Sequence, residues 1–294
     1  MPLGPTDFFW IGLVPCALAA LALWLAVRLG LRATAAWALA VGGAIFLGMT
    51  LQHSRTSWQT AWDKLLHPRV GLDWLPWLVL VAALLSAVAA CAPRNWQRWL
   101  FSLAGVLAIA VPLRLLASNA AAMNRWSLGE KLGVLACWSI VFAALWTTLA
   151  LGRRNRQPLL RSGLLLATAT GIALTLVASH SVTLGEYAGI STATLIGALA
   201  AAWWTGRLEL GPSPAAGPLA VALVGLILLG YTYDLTAVNA ALLTLSLAAA
   251  AGWLPEVWSS QQIARAILRT ALTLIPLFVA AALAIHAATA DRYG

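Results

Sequence analysis

The stretch HSRTSWQTAWDKLLHPRVGLDW, numbers 53 to 74, holds residues of the types that do chemistry, first among them His53, Asp63 and His67. Asp63 and His67 are four residues apart, so a helix would place both on one face. A carboxylate with two imidazoles could act in acid–base catalysis or hold a metal ion. Asp73, His180 and Glu186 complete the candidate set, because the topology derived below brings them to the same side. The spacing matches no recognised metal-ligand pattern, and a solvated helix face accounts for the same residues. The chain also holds no nucleophile elbow, phosphate-binding loop or HExxH motif. No cofactor is implied, and an enzyme is the least favoured reading.

The elements that must position these residues are membrane spans. The chain is 62% hydrophobic and only 9% charged, against about 25% charged residues in soluble domains. Apolar runs long enough to cross a hydrocarbon core of about 30 Å recur along its length. They fall at 8–28, 34–52, 74–92, 97–117, 131–151, 161–180, 188–204, 217–232, 235–253 and 266–288. The expected fold is therefore all-α, a polytopic transmembrane bundle of about ten spans forming a single membrane domain over 1–294. The boundary between the eighth and ninth spans is the weakest, and Asp234 in YTYD is expected to be both the turn and the N-cap of the next helix. Without that turn the count falls to nine. The N-terminus has no basic region of the signal-peptide kind, so the first run reads as a retained span.

The net charge of +9 does not imply a nucleic-acid partner, because the basic residues sit in short loops between spans. With the N-terminus outside, eleven Lys and Arg fall on the inner side and seven on the outer. That bias, led by RRNRQPLLR at 153–161, puts both termini outside a cell membrane, of the bacterial inner-membrane kind. The lipid bilayer is the expected partner, with other membrane proteins as further candidates. Most of the 16 tryptophans lie near span ends, as headgroup anchors do. Cys16, Cys91 and Cys137 lack redox or metal spacing and read as small apolar residues.

Two stretches resemble each other. IGLVPCALAALALWLAVRLGLR in the first span matches LGVLACWSIVFAALWTTLALGRR in the fifth, and GLDW opens the third as LGEY opens the seventh. Asp73 then pairs with Glu186. This pattern suggests parallel copies over 8–119 and 129–234 followed by a terminal helix pair over 235–290. Chance matching among runs rich in Leu, Ala and Gly is the competing explanation.

Under the repeat, the polar stretch is extra length between the second and third spans. Thr56-x-x-Gln59 fits a capping box, and Pro68 should stop the helix just after His67. Trp58, Trp62, Leu65 and Leu66 form one face, giving a short helix lying in the interface. On the same side fall Arg114, Asn119, Arg125, Glu130, Ser181, Tyr187, Tyr231, Tyr233 and Asp234. All nine acidic residues sit in loops or near span ends, which argues against a carrier driven by protons or sodium through a mid-membrane acid. Pro15, Pro112 and Pro276 are candidate kinks.

Three functions fit these features. The first is a transporter or channel for a small neutral solute or a lipid. The second is a non-catalytic structural or assembly subunit, and the third an enzyme at the outer interface using His53, Asp63 and His67. An enzyme requires those three side chains to converge, whereas a transporter requires polar groups reaching toward mid-membrane.

Overall fold

The computed structural model describes residues 9–53, 58–119, 124, 126–151, 158–206, 215–252 and 262–293. A π-helical turn, Phe9–Leu13, leads into α1 (Val14–Arg28). There follow α2 (Ala33–His53), α3 (Trp58–Leu66), α4 (Gly71–Cys91), α5 (Arg94–Ala117), α6 (Leu128–Leu151) and α7 (Pro158–Ala178). The last four are α8 (Val182–Trp204), α9 (Ala216–Tyr233), α10 (Ala237–Ala251) and α11 (Gln262–Tyr293). Apart from α3, each coincides with one of the ten expected runs. Among the described residues, seven are long and apolar enough to cross a membrane, namely α1, α2, α4, α6, α7, α9 and α11. They fit a multi-pass protein embedded in a bilayer.

Helix α9 is the axis of the bundle. Its sequence AGPLAVALVGLILLGYTY has no polar face, and every residue from Ala216 to Gly230 is buried. A helix apolar all round is stable only when other apolar elements surround it. Here α4, α5, α6 and α8 pack around it, with α2, α7 and α10 completing the sheath. Helix α1 fits between α2 and α8, and α11 lies against α7 and α10.

In a bilayer the hydrophobic effect does not draw helices together, so close packing of small residues does. A Cβ on Gly197 of α8 would collide with the carbonyl oxygen, carbonyl carbon and Cα of Cys16 in α1. A Cβ on Gly48 of α2 would lie 2.6 Å from Ile190 Cγ2 of α8 and 3.0 Å from Pro15 Cγ of α1. Pro15 thus sits at the start of α1 as a contact to α2, not as a kink within the helix. Pro112 and Pro276 do lie inside helices, as does Pro76 in α4. Near Pro276, where a proline weakens the preceding carbonyls' bonds, Ser246 Oγ of α10 donates to the Thr273 carbonyl at 2.7 Å.

The turn between α9 and α10 is present, but Asp234 is not the N-cap. Thr236 is, its Oγ1 accepting from the Asn239 N–H at 3.2 Å. Asp234 closes α9 and accepts a hydrogen bond from Ser181 Oγ at 2.5 Å. Helix α8 begins at Val182, six residues before the expected start at 188, so Glu186 and Tyr187 are helical. Apolar run length sets the start late because Glu186 and Tyr187 read as loop residues, whereas Tyr187 is buried and Glu186 is bonded by Gln52.

At the opposite face, arginines close helix ends. Arg161 NH2 donates to the carbonyls of Leu149 (2.8 Å) and Thr148 (3.2 Å) at the end of α6. Arg269 Nε donates to Ala249 at 3.0 Å and its NH2 to Ala250, at the end of α10. Arg32 NH1 reaches Ala90 (3.3 Å) and Cys91 (3.2 Å) at the end of α4. Helix C-termini carry orphan carbonyls and partial negative charge, which a guanidinium satisfies on both counts. Residues 153–157 of the basic cluster lie outside the described residues.

Candidate functional site

The polar stretch folds largely as expected. Helix α3 ends at Leu66 and Pro68 follows, while Thr56 of the expected capping box lies outside the described residues. Trp62 and Leu66 are exposed, so the apolar face of α3 points away from the bundle, as an interfacial helix requires. Trp77 Nε1 of α4 donates to the Leu65 carbonyl at 2.9 Å and ties the helix down. Asp63 and His67 do share a face, with His67 Nδ1 3.4 Å from Asp63 Oδ1. Arg69 NH2 lies 3.7 Å from the other Asp63 oxygen. All three side chains are well exposed, and exposed pairs of this kind contribute little to stability.

His53 ends α2, and its side chain lies outside the described residues. His180 is exposed and serves the backbone. It has φ of 65°, its N–H bonds the Val177 carbonyl, and the Ser181 N–H bonds that of Leu176. This is a Schellman ending of α7 with histidine where glycine is usual. The left-handed conformation crowds a Cβ. His180→Gly is therefore expected to raise stability by about 1 kcal/mol. A higher melting temperature in detergent would show it, and an unchanged or lower one would refute it.

Asp73 and Glu186 behave differently from the exposed pair. Asp73 is only 7% exposed, although its position near a span end suggests an interfacial residue. One of its oxygens accepts from the backbone N–H groups of Arg69 and Val70, each at 3.2 Å, so it caps the start of α4. Glu186, in the second turn of α8, accepts a hydrogen bond from Gln52 Nε2 in the last turn of α2. The close approach of Gly48 to Ile190 explains that contact. In this antiparallel pair, moving one turn from Gly48 to Gln52 is matched by one turn from Ile190 to Glu186.

Tyr187 is fully buried, and both carboxylates are close enough to act electrostatically on its hydroxyl. Tyr233 at the end of α9 feels Asp73 in the same way. On the adjoining side the Arg114 guanidinium stacks over the Trp74 ring at 3.9 Å, and Trp126 stacks on Tyr231. This cation–π contact engages the charge two residues beyond Pro112. Glu130 caps α6 in a Ser127-x-x-Glu130 box.

A row of hydroxyls leads inward from this cluster. Tyr187, Ser191 and Thr194 follow one another at i, i+4 and i+7 on α8, and all three are fully buried. Ser191 Oγ donates back to the Tyr187 carbonyl at 3.1 Å. Thr194 Oγ1 has no hydrogen-bond partner among the described residues. From Glu186 to Thr194 is a rise of about 12 Å along the helix axis.

Of the six candidates, then, Asp73 is buried at the start of α4 and Glu186 is half-buried against Gln52, while Asp63 and His67 form a separate exposed pair. Gln52 was not apparent as a candidate from sequence, where its only signal is an amide ending an apolar run. Among the described residues, no three His, Cys, Asp or Glu side chains gather as a metal-binding group. No family model, no curated protein and no solved structure matches this chain.

Proposed function

We propose that the chain is a membrane transport protein for a small neutral solute, crossing the bilayer ten times with both termini outside. The observation that carries this reading is the buried hydroxyl row of Tyr187, Ser191 and Thr194, running inward from the polar cluster. An unpartnered hydroxyl inside an apolar bundle costs free energy unless something supplies a hydrogen bond. A passing solute with hydroxyl or amide groups would supply one. The reading includes the duplication of 8–119 and 129–234, which makes Asp73 and Glu186 counterparts at the entrance. Hydroxyls rather than charges beyond that entrance suit an uncharged cargo.

The test is solute entry into proteoliposomes by stopped-flow light scattering, with glycerol and urea as probes. Faster entry of at least one probe than in protein-free vesicles is expected. Thr194→Val, which keeps the shape and removes the hydroxyl, should slow it about fivefold, the equivalent of one hydrogen bond of about 1 kcal/mol. No flux above lipid alone would overturn the proposal and favour an assembly subunit.

A further inference from the structure

Helices α4 and α5 turn an apolar surface outward. On α4, Val81, Leu84 and Val88 are exposed, and they stand at i+7, i+10 and i+14 from Trp74, on one stripe of the helix. On α5, the exposed Leu103, Val106 and Leu113 form a stripe that ends beside Arg114. The two helices pack against each other, and the Arg114 guanidinium over the Trp74 ring joins the ends of the stripes. From Leu103 to Arg114 is a rise of about 16 Å, half of a hydrocarbon core of about 30 Å. The surface is therefore as deep as one leaflet, on the side that carries α3.

Arg114 is itself exposed, and no carboxylate pairs with it among the described residues. The indole 3.9 Å away holds the guanidinium in place, so little side-chain freedom is left to lose when it takes a ligand. We propose that the α4–α5 surface binds an anionic phospholipid, its phosphate on Arg114 and a tail along the two stripes. A guanidinium can donate two parallel hydrogen bonds to phosphate oxygens. A zwitterionic lipid offers the same phosphate beside its own cation, so the site selects by net headgroup charge. Binding does not use the hydroxyl row of α8, and a failure to transport leaves it standing.

The experiment is thermal unfolding of the purified full chain in detergent, with phosphatidylglycerol, phosphatidylcholine of the same tails, or sodium phosphate added. Phosphatidylglycerol should raise the melting temperature by several degrees more than phosphatidylcholine, saturating with concentration, as for any ligand that binds the folded state alone. Sodium phosphate, which has no tail, should give no comparable gain. Arg114→Gln should remove the extra gain. Arg28→Gln should keep it, because that variant deletes an exposed charge from the end of α1, where the guanidinium lies 5.3 Å from Trp24. If Arg114→Gln fails to fold, Arg114→Lys serves in its place: it keeps the charge but loses the fork, and should halve the gain. Equal gains from the two lipids, a gain matched by sodium phosphate, or a preference that survives Arg114→Gln overturns the proposal. So does an equal loss in Arg28→Gln.

Discussion

Gly197→Ala is expected to be the most damaging conservative change in the membrane domain, costing about 3 kcal/mol or more. The added methyl would meet the backbone of Cys16, which cannot rotate away as a side chain would. Helices α1 and α8 would have to separate along an interface that also carries Gly48 and Pro15. Gly43→Ala is the matched control. It also lies in the middle of a buried helix, but a Cβ there meets nothing within 4 Å. That variant should be neutral, or more stable by up to about 1 kcal/mol through helix propensity. Unfolding in detergent compares the two. If Gly197→Ala melts with Gly43→Ala, α1 and α8 are not packed as described.

Arg269→Met should be the next most damaging. The thioether keeps most of the apolar stem but removes the donors that close α10. Two carbonyls, those of Ala249 and Ala250, would be left without their charged donor in a buried setting. Unsatisfied buried acceptors cost about 1–3 kcal/mol each. The relief of one buried charge offsets part of that, leaving an expected loss of about 3 kcal/mol. Arg28→Met is the control, since Arg28 is exposed and its guanidinium only overlies Trp24 at 5.3 Å. Its effect should stay within about 0.5 kcal/mol. Similar melting of the two variants would mean that the Arg269 contacts add nothing. Arg269→Lys should recover part of the loss, because an ammonium can serve one carbonyl but not fork across two.

Both predictions depend on neighbours that are far apart in sequence, and this marks the boundary of what sequence reading could reach. Apolar run length located the helices, because a bilayer demands an unbroken hydrogen-bonded segment of about 20 apolar residues. The same local logic located α3, with its Asp63–His67 pair and its stop before Pro68, and the turn separating α9 from α10. Each of these depends on residues within a few positions of one another.

Only the tertiary structure decided which helix faces became neighbours. Asp73 and Glu186 read alike in sequence as acids near span ends, and Asp63 as an acid on the polar stretch between two spans. The fold buried Asp73, joined Glu186 to Gln52 and left Asp63 exposed. Arg161 and Arg269 counted only toward orientation, and the fold made them caps on the ends of α6 and α10. The physical reason is that apolar runs in lipid carry almost no polar stripe to announce their inward face. That face is chosen by close contacts such as Gly48 on Ile190 and Gly197 on Cys16. These contacts join residues more than 140 positions apart, so no local pattern could show them, and they determine where the polar side chains meet.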